Sequence, residues 1–161
     1  MAAWTVGDMI DALATAFAAD VTLTALDPPL TVYDYDPSPD EITTDVLVVG
    51  YEAQDNQDYK ELGGGRVDQD VTVKCLAMVW RPVTAGGGAA KTARDRAEAI
   101  LERVEDLTRM ANIPNVGDQT TYSLVKNRQL GQYASEVGAE SVPVRVCSIT
   151  FDISYKARTS T

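Results

Sequence analysis

The chain has 161 residues, 45% of them apolar and 24% charged, which suits a folded domain with a core of its own and excludes wholesale disorder. Its 24 acids against 14 bases leave a net charge of −10, which argues against gripping nucleic acid through a broad basic face. It contains no histidine, so Ser-His-Asp and Cys-His catalysis and His-ligated metals are excluded.

Val6, Ile10, Leu13 and Phe17 recur at helical spacing and predict a helix over about 5–19, with Thr5 as N-cap and Asp8 in the first turn. Asp27-Pro28-Pro29 breaks the chain. Leu30 to Tyr35 reads as a short strand, and Asp36-Pro37-Ser38-Pro39-Asp40 as a loop. Asp45 to Tyr51 reads as a strand whose unbroken apolar run, Val46 to Val49, predicts burial on both faces. The polar stretch from Glu52 to Arg66, ending Gly63-Gly64-Gly65, reads as a long loop at about 52–66.

Val67 to Trp80 predicts a long strand. Val71, Val73, Cys75, Ala77 and Val79 share one face; Thr72, Lys74, Leu76, Met78 and Trp80 share the other. The second face turns apolar towards its end, which predicts cover on both sides there. Ala93, Ala97, Ile100, Val104, Leu107 and Ala111 form an apolar stripe and place a helix at about 90–111. Thr121 to Val137 reads as one or two strands near a sheet edge. Pro143 opens a last strand in which Cys147, Ile149, Phe151, Ile153 and Tyr155 alternate with polar residues. A short flexible tail is expected at 157–161. The element order α-β-β-β-α-β-β predicts one α+β domain over 1–161, with a mostly antiparallel sheet of four to five strands and two helices packed on one face.

Little in the chain carries catalytic chemistry. Ala85-Gly86-Gly87-Gly88-Ala89-Ala90-Lys91-Thr92 follows a strand and precedes a helix, but Ala85 and Ala90 stand where a P-loop needs glycine; it reads as a hinge. Leu62-Gly63-Gly64-Gly65-Arg66 has no helix after it and reads as a loop tip. Asp34, Asp36, Asp40, Glu41 and Asp45 have the charge for a hard cation, yet Pro37 and Pro39 replace the pattern of an EF-hand, so a solvated acidic loop is expected. Cys75 and Cys147 have no metal or redox spacing and read as buried small side chains. Trp4 and Trp80 read as core or boundary residues. No metal and no cofactor is expected.

Charge is unevenly laid out: residues 1–59 hold 12 acids and no base, the first base being Lys60. No run is long enough for a membrane helix. The N-terminus lacks the pattern of a secretory signal, so the cytosol is the expected compartment.

Taken together, the N-terminal helix, the Pro-led strand Leu30-Thr31-Val32-Tyr33, the apolar strand Val46-Leu47-Val48-Val49-Gly50, the strand ending Val79-Trp80-Arg81-Pro82, the Ala-rich helix Ala93 to Leu101 and the final strand Val146 to Arg158 resemble the tail terminator, or tail-completion, proteins of long-tailed bacteriophages. The resemblance implies a non-enzymatic virion protein that forms a hexameric ring at the head-proximal end of the tail tube. Such a ring stops polymerisation of the major tail protein and meets the neck or head-completion proteins, while DNA passes through without specific binding. It implies assembly in the host cytoplasm and residence at the tail–head junction. The residues expected at partner-facing surfaces are Asp34, Asp36, Asp40, Glu41, Gln54, Asp58, Lys60 and Arg66. Alternatives are a neck adaptor of similar fold, an acidic protein-binding adaptor, and a small carboxylate-based ligand-binding domain or enzyme.

Overall fold

A computed structural model describes residues 6–25, 28–42, 45–59, 66–110 and 120–160. Trp4, Thr5, Lys60 and the Gly63–Gly65 run lie outside them. The elements are α1 (Val6–Ala19), α2 (Val21–Thr24), β1 (Leu30–Tyr33), β2 (Asp45–Tyr59), β3 (Arg66–Pro82), α3 (Ala89–Met110), β4 (Thr120–Val137) and β5 (Val142–Ser160). They form an α+β fold around one five-stranded sheet of order β1-β2-β3-β5-β4. β1 runs parallel to β2, and the other pairs are antiparallel.

The alternation of β3 sorts the two faces. Val71, Val73, Cys75, Ala77 and Val79 are fully buried and join Met9, Leu13 and Phe17 of α1 and Ala93, Ala97, Ile100 and Val104 of α3 in one apolar cluster. Both helices therefore cover the same face, as their apolar stripes predict. The small side chains of Ala93 and Ala97 keep the start of the α3 stripe close to the strands beneath it. Gly50 does the same for α1. Its φ is +79°, and a Cβ there would lie 2.6 Å from Ile10 Cδ1, so only glycine allows this approach without strain.

Burial of Val46 to Val49 on both faces is observed. Leu47 and Val49 belong to the helix-side cluster, whereas Val46 and Val48 pair with Met78 and Leu76 of the opposite face. The connection from β1 to β2 crosses that opposite face, with Pro37 buried and Pro39 and Ile42 beside Met78 and Trp80. The cover is thinner than the apolar end of β3 predicts: Leu76, Met78 and Trp80 are only half-buried.

Three expectations need correction. The stretch at 52–66 is not one long loop: Glu52–Tyr59 continues β2 and pairs residue by residue with Val67–Lys74. Polar residues of low strand propensity adopt the strand because a complete partner strand is available to pair with them. The tail at 157–161 is likewise strand up to Ser160, where Arg66–Gln69 pairs with Ala157–Ser160. At the other end β1 stops at Tyr33, and Asp34 and Tyr35 already bend away. A further short helix, α2, is too brief to carry a periodic signal; Asp20 starts it by accepting a hydrogen bond from Leu23 N at 2.9 Å.

Candidate functional site

Two surfaces and two arginine-paired carboxylates, Asp45 and Asp20, carry the polar chemistry described below. The first surface is the connection between β1 and β2. Asp34, Asp36, Asp40 and Glu41 are all exposed there. Glu41, however, is engaged by its own loop. Its carboxylate accepts from Ser38 N at 2.7 Å, Ser38 Oγ at 3.1 Å and Tyr35 Oη at 3.3 Å, and its carbonyl accepts from Tyr33 Oη at 3.1 Å. Tyr33 and Tyr35 meet edge to face with ring centroids 5.4 Å apart. The loop is thus fastened by a carboxylate at its centre, which leaves Asp34, Asp36 and Asp40 to give it an acidic rim. Beneath it a groove of about 400 Å³ is lined by Pro39, Ile42, Met78, Trp80, Tyr133 and Val146, among others.

Asp45, grouped with these acids in the sequence, is not part of the rim. It is buried on the helix side and accepts from Arg81 Nη1 and Nη2 at 2.7 and 2.9 Å and from Arg96 Nε at 3.3 Å. Arg96 Nη2 also donates to Leu23 O at 3.4 Å. The carboxylate therefore ties β2, β3 and α3 together, and Arg96 extends the link to α2. A metal site using Asp45 is excluded by these arginines, and among the described residues no three metal-ligating side chains gather.

A second, part-buried pair joins Asp20, at the start of α2, to Arg103 of α3 through Nε at 3.1 Å and Nη2 at 2.7 Å. The hydrogen bond from Arg103 holds the Asp20 carboxyl below its ordinary range. That keeps it ionised, the reverse of what a general acid needs. Neither pair was found from sequence, because each links residues far apart in the chain.

The second surface is the part of the sheet beyond Gly50. Gln54 is exposed on it, in a shallow depression with Glu52, Ala53, Thr72 and Lys74. The backbones of Asp58 and Arg66 belong to β2 and β3, while Lys60 lies outside the described residues. The expected partner-facing residues thus fall on two separate elements, the crossing connection and this ribbon.

The ribbon has two unlike edges. β1 pairs with β2 only over Asp45–Val48, and among the described residues no strand pairs with the outer edge of β2 over Glu52–Tyr59. That stretch carries three acids and no base. At the other side of the sheet β4 presents an 18-residue edge strand. Its stretch Thr120–Gln132 carries Lys126 and Arg128 and no acid. Arg128 forms an ion pair with Glu105 of α3. Both edges carry a register irregularity, between Val49 and Glu52 in β2 and between Lys126 and Gln129 in β4. In β4 it is accompanied by Asn127 at φ 55°, the backbone signature of a bulge that bends a strand.

Gly87 and Gly88 turn the chain at φ 72° and 88°, and Lys91 pairs with Asp95 one turn along α3. Cys75 is fully buried, and burial pushes its thiol up to about 12, as expected of an inert core residue.

No family model matches the chain, and no curated protein matches it. Among solved structures it is similar to a chain from the virion of a native gene transfer agent particle, at 17% identity. The similarity covers 92% of this chain and 94% of that one, with a TM-score of 0.49. Among the described residues no helix is long and apolar enough to cross a membrane.

Proposed function

We propose that the protein is a structural component of a tailed virus-like particle, a ring that closes the head-proximal end of a tail tube. In this role it stops addition of the major tail protein and offers its other face to the neck or head-completion proteins. It acts by assembly rather than catalysis. The observation that carries this reading is the open sheet with two unlike edge stretches, Glu52–Tyr59 of β2 with only acidic charges and Thr120–Gln132 of β4 with only basic ones. A head-to-tail ring needs two different, complementary surfaces on each subunit, and these edges supply them. The sequence resemblance to tail terminators supports the same role. An acidic chain lining a DNA conduit lets DNA pass without holding it.

The test is capping. Added to polymerising major tail protein, the protein is expected to shorten the tubes and to sit at one end of them in negative stain. Tube lengths unchanged at stoichiometric excess would refute termination. Binding to isolated heads with no effect on tubes would favour the neck adaptor of similar fold.

A further inference from the structure

We propose that in the ring Thr120–Lys126 of β4 of one copy pairs antiparallel with β2 of the next copy along Glu52–Gln57, setting Lys126 of one copy opposite Glu52 of its neighbour. This rests on the ring reading above and names the surfaces that close it.

The direction of the strands comes first. β2, β3, β5 and β4 alternate in direction across the sheet. β4 therefore runs opposite to β2. A neighbour related by a rotation that keeps strand direction presents its β4 antiparallel to β2, the pairing used between most strands of this sheet.

The level along the strands agrees. Glu52 is in register with Lys74, Lys74 with Asp152, and Asp152 with Lys126. This row crosses the sheet from its free β2 edge to its free β4 edge. Its charges alternate: acid, base, acid, base. Lys74 and Glu52 already form an ion pair at 2.9 Å. The row thus ends in an acid on one side and a base on the other. Repeating the copy around a ring continues the alternation without a break, because Lys126 follows Glu52 as Lys74 follows Asp152. Opposite charges directly across a strand pair stabilise it, and like charges oppose it.

The extent of the contact is also set by the fold. β1 occupies the outer edge of β2 over Asp45–Val48, so an incoming strand has room only beyond Gly50. The bulge between Lys126 and Gln129 lies at the level where that room ends. A bulge of this kind turns the strand beyond Gln129 away from the course of Thr120–Lys126. Glu52–Gln57 of β2 and Thr120–Lys126 of β4 therefore agree in level and direction, apart from one extra β4 residue at the irregularity between Thr120 and Tyr122, and they are opposite in charge. An exposed edge of this length is otherwise an open template for aggregation.

The next row on the same face gives the experiment. Gln54 is in register with Thr72, Thr72 with Ser154, and Ser154 with Leu124. Gln54 and Leu124 are both exposed, so replacing them leaves the core intact. Within one chain they stand three strand spacings apart, about 14 Å, too far for a disulfide, which needs Cα atoms within about 7 Å. The full chain carrying Q54C and L124C is oxidised and run on a non-reducing gel beside each single variant, with light scattering on the untreated protein. The expected result is a ladder in multiples of the 17.4 kDa chain for the double variant and monomer for each single one. Q54C with Y133C, a pair mismatched in level, is expected to give no ladder. A ring by light scattering with no Q54C–L124C ladder would overturn this interface and leave the ring standing. Dimers from a single variant would overturn it in favour of a two-fold contact. A monomer by scattering, with no ladder even beside tail tubes, would overturn the ring and the interface together.

Discussion

Replacing Asp45 with alanine removes the carboxylate that Arg81 and Arg96 share. The Asp45 side chain is 1% exposed, and those of Arg81 and Arg96 are 15% and 12% exposed, so water cannot take the place of the lost acid at full strength. Two guanidinium groups are then left without their counter-charge in a poorly solvated position. Breaking a buried pair in this way costs about 3–5 kcal/mol, far more than an exposed pair, because the cost is dominated by the stranded charge. For a domain of this size each kcal/mol lowers the melting temperature by about 2–4 °C, so D45A is expected to melt roughly 6–20 °C below the parent. Thermal unfolding followed by circular dichroism, with urea titration at 25 °C, measures it. Replacing Asp45, Arg81 and Arg96 together with apolar residues of matching volume is expected to recover most of the loss, since the desolvation cost leaves with the charges. A D45A loss below about 1 kcal/mol, the range of a surface ion pair, would refute the account of a buried tether.

The pairing of Asp20 with Arg103 gives a pH dependence. Because the folded carboxyl titrates below its ordinary value of 3.8, its contribution is fully present above that value and is lost as pH falls from there through the lower pKa of the folded state. D20N is therefore expected to be less stable at neutral pH and to lose less on acidification than the parent, as read by urea unfolding along a pH series. G50A is expected to cost about 2–4 kcal/mol, from the left-handed backbone and the contact with Ile10 together. I10A combined with G50A relieves the contact and leaves the backbone cost, which urea midpoints of the single and double variants will separate. Cys75 is expected to resist a thiol reagent at neutral pH in the folded protein and to react on unfolding, since burial removes both access and thiolate; rapid labelling of the folded chain at Cys75 would contradict its place in the core.

The parts of this fold that were legible in the sequence are those in which one element carries its own periodic signal. The stripes of α1 and α3 and the alternation of β3 and β5 each mark a face, and each face is buried where it was expected. Val46 to Val49 announced burial on two sides because four apolar residues in a row have no solvent face. The second half of β2 was not legible. Glu52–Tyr59 is polar on both faces and poor in β-formers, so its strand state comes from pairing with β3, which no local window records. The same holds for the ion pairs: Asp45 is 36 positions from Arg81 and 51 from Arg96. Read locally, Asp45 is a turn residue beside an acidic loop; in three dimensions it is turned away from that loop. Asp34, Asp36 and Asp40 kept the exposure that a polar, proline-broken segment implies, whereas Glu41 is taken up by Ser38 and the two tyrosines of its own connection.

The ring itself is tested most directly by the mass of the intact protein in solution, measured by light scattering after size exclusion, alone and with tail tubes. The account predicts a closed ring, about 104 kDa for six copies of the 17.4 kDa chain, seen as an annulus in negative stain. A monomer under both conditions, or a two-fold dimer that leaves the edges of β2 and β4 free, would contradict it.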